Sequence, residues 1–522
     1  MRFSIFFWTF LFFFVNPILF AQELESNFEE LLLEQISEDL GENVDVSEVM
    51  ERLYSIMKNP LDLNKVTNEE LSSILFLSPQ QVNNIILHRE LSGDFINVLE
   101  LQGIVGLDLQ TITLLRQFVF VGQKSSLKDL SWRSIGKEDE HSLMLRFGRT
   151  LEKLQGYSIT DENRSRYLGD PNAYSLRYRW NYQQKIKIGL NAEKDAGEPF
   201  FTLAQKRGFD FYSGYLEIND VNKTIRKVVI GDFAIQSGQG LVIWNGLSFG
   251  KGTWIGAVAK QGIGLRSYSS MNENNFHRGI ATQLAFKRFT VIPFMAYNHL
   301  SGNIEKTDHT NLIKTINSSG LHRTPTEQSY RDAIKQFVVG SDITYQYKRL
   351  KLGITGLYTR YKGEIIRGNE VRNQYDFEGK DLLQVGINYK YNFRNFYLFG
   401  ETALSIDAGL ATVNGIIASL HPKVSAFVNY RNFQRNYHSF LLKLFQKVLI
   451  FRMKKGCILA WFIMLLESLN GLIMWICLSF RGFDSVWMVQ VKGWIFCRRR
   501  LTLGTSEESF WFAVAIELNK KI

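Results

Sequence analysis

The chain has 522 residues, with 61 Lys/Arg against 51 Asp/Glu and a formal net charge of +10. That total describes no single part of it: residues 23–122 hold 18 acidic and 5 basic side chains, 123–438 hold 28 and 43, and 439–522 hold 5 and 12. Three cysteines spaced 20 residues apart and eight scattered histidines make no metal or redox motif, and no Walker or dinucleotide fingerprint appears, so the chain reads as non-enzymatic and without a cofactor.

Residues 1–21 carry Arg2, an apolar run from Ile5 to Val15, and a small residue, Ala21, just before the polar Gln22-Glu23. This is the pattern of a cleaved export signal, since the apolar run is short for a spanning helix. Residues 22–59 show apolar positions at helical spacing, Leu31, Leu32 and Ile36, then Val49, Leu53, Ile56 and Met57, broken at Gly41.

Residues 60–122 read as a second helical unit. Thr67 is placed to cap a helix, with Glu70 completing a capping box. A further helix starts at Pro79, carries Val82, Ile85, Ile86 and Arg89, and stops near Gly93. Residues 98–102, a turn over 103–108, and a helix through Ile112, Leu115 and Val119 follow.

The order Leu61-Asp62-Leu63-Asn64-Lys65-Val66-Thr67, then Leu71, Ile74, Val82, Ile85, Ile86, Arg89, Gly93-Asp94-Phe95 and Leu99 to Leu115 resembles the tandem helix-hairpin-helix domain of ComEA-type competence DNA receptors. In that family, backbone N–H groups of Gly-hydrophobic-Gly turns hold a DNA phosphate at a helix N-terminus. The resemblance therefore implies Lys65, Arg89, Gly103, Gly106 and Arg116 as nucleic-acid contacts. The chain departs from the pattern at both turns. Leu75 to Pro79 replaces the first glycines, and Leu107-Asp108 stands where a second glycine is expected. Only Lys65, Arg89 and Arg116 oppose seven acids within 60–122, and affinity for DNA depends on neutralised phosphates. Head charge thus disfavours DNA and favours a docking module for a periplasmic protein; both readings stay open here.

From about 123 to 438 the chain alternates. In residues 383–393 every odd position is apolar or aromatic and every even one is polar or Gly, which gives a strand one apolar face and one wet face. Similar runs number roughly 14 to 16, a usual size for outer-membrane barrels. The clearest hairpin sets Leu176, Tyr178 and Trp180 with Ile186, Ile188 and Leu190 on an outer, lipid-contacting face. Arg146, Arg177, Arg179, Lys185 and Lys187 fall on the inner face. A basic lumen attracts anionic solutes or polymers, unless these cations pair with Glu193, Asp342 or Glu401. The Gly-dense stretch 228–244 reads as a corner or inward constriction. Gly246-Leu247-Ser248-Phe249-Gly250 matches the hydrolase elbow but lies among strands, where that motif has no helix to enter.

The layout of residues 1–438 resembles the helix-hairpin-helix-containing outer-membrane proteins of Bacteroidetes, which implies an outer-membrane location with the head in the periplasm. The fold class is α+β: a small all-α head followed by a large antiparallel barrel in outer-membrane lipid. The role expected is transport or envelope assembly, with a DNA-uptake receptor and a surface polysaccharide-binding β-protein as the alternatives.

At residue 439 the alternation stops. All three cysteines and five of the ten tryptophans fall in 439–522, and 456–480 is apolar enough to span as a helix. A shifted reading frame from 439 onward accounts for the change. It carries the expectation that the barrel lacks its closing strands and leaves residues 423–435 as an open edge.

Overall fold

The computed structural model describes residues 53–122 and 139–440 apart from short interruptions, and the backbone of strands between 457 and 514. The expected leader at 1–21, most of the helical segment 22–59, and the 246–250 motif lie outside the described residues.

The head is built from short capped helices around one apolar core. Thr67 and Glu70 form the reciprocal capping box at the helix Asn68–Leu71, and Ser78 with Gln81 forms another at Pro79–Ser92. Each box satisfies two backbone donors that a helix start leaves open. The glycine Gly93 ends the second helix at φ +96°, a left-handed value that costs a side-chain-bearing residue energy. Leu63, Leu71, Ile74, Val82, Ile85, Leu101, Leu115 and Phe118 are buried together. Residues Val98–Gly103 wind as a 3-10 helix, and one expectation needs correction. The helix through Ile112 ends at Leu115, because Val119–Phe120 leaves it to pair in parallel with Leu61–Asp62. Those two bridges tie the ends of the head together.

The rest is a barrel. Twenty strands among the described residues close on themselves, nearly all joined to their sequence neighbours in antiparallel fashion. Fifteen of them, from Asp139–Arg149 to Val424–Phe433, lie in the alternating region. The alternation has the expected physical result. Along Gly379–Phe393, Leu383, Val385, Ile387, Tyr391 and Phe393 are exposed, while Leu382, Gln384, Gly386, Asn388 and Asn392 are buried. The same holds along Leu350–Ile365, where Ile354 faces outward and Thr355 and Leu357 face inward. Connections at one end of the barrel are tight, as at 287–288, 348–349 and 394–395, and those at the other are longer, as at 150–171 and 195–210.

The expected open edge is corrected. Residues Ala426–Arg431 pair with Ile458–Ile463, and the backbone of the last 84-residue stretch continues as five strands, Cys457–Met464 to Ser506–Val514, that complete the ring. The apolar run at 456–480 is two strands and not a spanning helix. Among the described residues no helix is long and apolar enough to cross a membrane. The tail is rich in Ile, Val, Trp and Phe, which suit a pleated surface, so pairing does not require strict alternation.

Candidate functional site: an occluded lumen and the head beneath it

The strand Ile225–Gln236 starts in the barrel wall and then leaves it. Its first half pairs on both sides, with Phe211–Asn219 and with His277–Phe286; its last four residues pair with Gly264–Ser267. The turning point is Gly231, at φ +101° and with the Gly214 carbonyl oxygen 2.3 Å from where a Cβ would stand. Residues 236–245 enter the lumen. Leu241, Val242 and Ile243 are fully buried against Phe233, Ile292, Phe294, Val338, Leu357, Ala403 and Val413, which come from the contiguous arc of strands between Ile225–Gln236 and Gly409–His421. The stretch flagged in the sequence as an inward constriction is an apolar plug.

Two inward carboxylates hold it. Glu401 accepts backbone N–H groups from Gln239, from Leu241 at 3.1 Å and from Val242 at 3.3 Å. Gly238, at φ +59°, lets the loop close on that carboxylate, since a Cβ there would meet Glu401 at 2.5 Å. Asp342 accepts from the Ser237 hydroxyl and, at 2.7 Å, from the Thr355 hydroxyl. Successive backbone N–H groups in such a loop form a concave anion holder. Here its anion belongs to the protein. Beside the plug, Asn298 donates to Gln336 and Gln336 to the Tyr361 hydroxyl, so buried polar groups on neighbouring strands satisfy one another.

The lumen is therefore not uniformly basic. Among the described residues its cations include a group on strands 139–227, and Lys390 and Arg431 face inward from other strands. Arg146 lies on the inner face, in register with Ser175, and is exposed. Arg177 is half-buried on the same face, in register with Asn191. The Arg179 guanidinium donates to the Ser269 carbonyl and lies 5.8 Å from the Tyr215 ring centroid. Lys187 pairs with Glu217 at 3.6 Å. Lys185 follows the turn at Gln183 and Gln184, both at left-handed φ, and is buried at the rim 3.0 Å from Asp220. Of the acids expected as cation partners, Asp342 and Glu401 serve the plug instead, and the partner of Lys187, Glu217, was not among those expected.

The head abuts the barrel end that carries the tight turns. Glu69 pairs with Lys351. Ser419 donates to Gln80 at 2.8 Å, and Asn392 to Asn84 at 3.1 Å. Burial pushes Glu69 up, but the Lys351 ammonium outweighs it by charge and hydrogen bond and holds the carboxyl below its ordinary range. Gln261, on the segment returning from the plug, donates to the Leu77 carbonyl at 3.2 Å and accepts from Ser72 at 2.7 Å. The acidic head thus touches the basic rim directly, and through Gln261 it meets the segment whose Lys260 is hydrogen-bonded to Gln239 of the plug.

The residues suggested as nucleic-acid contacts do not converge. Arg89 spends its guanidinium on the Leu63 and Val66 carbonyls, at 2.7 and 2.8 Å. Lys65 lies 3.5 Å from Asp62. Arg116 caps the helix Leu109–Leu115 and is exposed. Gly106 takes φ +89° and its carbonyl accepts from Gln81, while Gly103 closes the 3-10 helix. At the helix start where a phosphate would sit, Asp108 accepts from the Thr111 N–H at 2.8 Å. A carboxylate already occupies the position.

On the long-loop end, Glu198, Asp210 and His322 are buried with their ligand-type atoms within 4.8 Å of one another. Their hydrogen bonds are internal. His322 binds Asp210 through Nδ1 and Ser301 through Nε2, its N–H goes to Glu198, and Arg331 pairs with Asp210 at 2.9 Å. Burial, then the charge of Asp210, pushes Glu198 up to about 7. Burial, then the charges of Asp210 and Glu198, pushes the nearby Glu273 up to about 9. The cluster ties together loops 195–210, 268–276 and 318–333.

Comparison with known proteins agrees with the head. Residues 57–120 match the family model described as helix-hairpin-helix motif. No curated protein matches the sequence. Among solved structures, the chain is similar to OprB of Pseudomonas putida (8% identity, 67% of this chain and 90% of that chain, TM-score 0.30). It is also similar to the outer-membrane expressed OmpT of Vibrio cholerae (8% identity, 65% and 85%, TM-score 0.26). The strand pairing defines an antiparallel β-barrel, and the family match places a helix-hairpin-helix motif in its head.

Proposed function

We propose that the protein is an outer-membrane barrel that is closed at rest and non-enzymatic, with its head held in the periplasm as a docking module for transport or envelope assembly. One observation carries this reading: the apolar plug of Leu241, Val242 and Ile243 is folded into the lumen and buried there against one arc of strands. A water-filled porin channel has a polar interior along its length. Outer-membrane barrels turn tightly on the periplasmic side and loop out on the other, which supports a periplasmic head and a band of exposed Ile354, Ile387 and Phe393 in lipid. On the head, Leu91, Ile96, Val105 and Leu109 are 68–90% exposed, and such a surface suits an envelope protein as partner. The engaged Arg89 and the carboxylate of Asp108 speak against duplex DNA.

The test is conductance. The full chain in planar bilayers should pass no steady current, and deletion of residues 238–243 should open an anion-preferring channel lined by Arg177, Arg179 and Lys187. A steady open-pore current from the unaltered chain would overturn the reading. A shifted frame from 439 now rests on composition alone, since the backbone of the tail completes the ring, and rereading the gene around codon 439 tests it.

A further inference from the structure

Between the head and the barrel turns lies a cavity of about 930 Å³. Nine of its lining side chains are Lys or Arg and four are Asp or Glu. Part of that positive charge is already neutralised, since Lys351 faces Glu69, and Arg226 lies 3.6 Å from Asp220. Lys223, Lys287, Arg288 and Lys348 have no carboxylate partner among the described residues. All four come from tight turns: residues 220–224, 287–288 and 348–349.

The backbone at these turns adds a second observation. Lys287 and Lys348 take φ +52° and +50°, where Gly or Asn would fit with less strain. Each is followed by an arginine and preceded by an aromatic residue, in Phe286-Lys287-Arg288 and Tyr347-Lys348-Arg349. The Tyr347 ring lies 4.3 Å from the Arg288 guanidinium and 5.5 Å from the Lys348 ammonium, so one turn orders the cations of two. Several cations converging from separate turns fit a multiply charged anion, and Arg adds a planar fork matched to phosphate oxygens.

We propose that this cavity is a binding site for a phosphate-bearing, multiply charged anion, held by Lys223, Lys287, Arg288 and Lys348. Glu69 on the cavity wall occupies Lys351, so the ligand competes with the head for that lysine. Binding in the cavity does not depend on whether the plug opens. Phosphate can come free in the periplasm or on a lipid headgroup at the rim, and the experiment separates the two.

The full chain in nanodiscs of zwitterionic lipid is titrated with tripolyphosphate by calorimetry, and the same chain in nanodiscs containing phosphatidylglycerol is assayed for retained anionic lipid. Tripolyphosphate binding in zwitterionic discs assigns the site to a free phosphate; selective retention of phosphatidylglycerol assigns it to a headgroup. In either arm the combined variant Lys223→Gln, Lys287→Gln and Lys348→Gln should weaken binding about tenfold or more. Glu69→Gln, which releases Lys351, should tighten it. Heat-modifiable gel mobility of both variants should match the parent. Binding in neither arm, or binding unchanged in the triple variant, would overturn the proposal whatever the conductance experiment returns.

Discussion

The Ser72 hydroxyl lies 2.7 Å from the Gln261 side-chain carbonyl, joining the helical head to the residue beside Lys260, which is hydrogen-bonded to Gln239 of the plug. Gln261 also donates to the Leu77 carbonyl, so one glutamine spans two loops of the head. The double cycle of Ser72→Ala and Gln261→Ala should show a coupling energy of about 1 kcal/mol, the net value of one such bond. Thermal melts of the head by tryptophan-independent circular dichroism supply the four stabilities. Strict additivity would mean that the contact does not link the two parts.

Docking of the head should be acid-sensitive. Glu69 is held below its ordinary range in the docked state, so the docked form binds fewer protons than the released form. The stabilisation is fully present above pH 4.5, the ordinary carboxyl value, and is lost as pH falls through the lowered one. Lys351→Gln should cost about 1 kcal/mol of docking, because it leaves the half-buried Glu69 carboxylate without its partner. Hydrogen exchange at Asn68–Leu71, whose first turn carries Glu69, reports release, which should appear at low pH in the parent and near neutrality in the variant.

The two faces of a strand should respond oppositely to charge. Ile354 pairs with Ile387 across neighbouring strands, and both are exposed on the outer face. Ile354→Arg should cost about 2–4 kcal/mol if it lies near the bilayer midplane. On the inner basic sector, Arg177→Gln should leave assembly intact. Urea titrations followed by heat-modifiable mobility compare the two; equal effects would show that the faces have been exchanged.

The plug should be the costliest place to remove a side chain. Leu241 is fully buried, so Leu241→Ala should destabilise by about 2–5 kcal/mol through lost burial and a residual cavity. Glu401→Leu should loosen the same segment by stripping three N–H groups of their acceptor. Hydrogen exchange at residues 238–243 should rise in both, and bilayer recordings should show intermittent current absent from the parent.

The long-loop end should open as pH rises. Glu198 and Glu273 have values raised to about 7 and about 9, so the packed loops bind more protons than the opened ones. Above pH 4.5 the opened form gives up its protons first, and packing weakens progressively up to about 7 for Glu198 and about 9 for Glu273. Trypsin nicking at Arg207 or Arg323 should be slow at pH 5.5 and faster at pH 8.5. In the double variant Glu198→Gln, Glu273→Gln the two rates should converge.

What could be read in advance was what depends on neighbours in sequence. The capping residues Thr67, Glu70 and Pro79 act within one helical turn, and the alternation at 383–393 acts within one strand, so both were legible. The parallel bridge of Leu61 with Val119 joins positions far apart in the chain and leaves no local trace. The same is true of Glu401, which reads as one more inner acid until the loop at 238–242 folds onto it. Lys185 directly follows the turn at Gln183-Gln184, and its partner Asp220 stands on a separate turn to which no local pattern points. The tail lost its alternation but kept its β-branched and aromatic content, and only the second of these governs whether its backbone can join the ring.

Gly231 has one further consequence. The plug is not a separate domain lodged in a pore but a fold in the wall, continuous with it at Gln236 and stitched back to it through Gly264–Ser267. Such a stopper cannot be pulled out, as a cork can; it can only swing about its two anchored ends. Any passage it uncovers would be a crescent along one side of the barrel, narrower than the ring of strands suggests. The cations of strands 139–227 would form part of the fixed bank of that crescent. A solute would then be selected by one charged wall and sized by how far a tethered loop can lean.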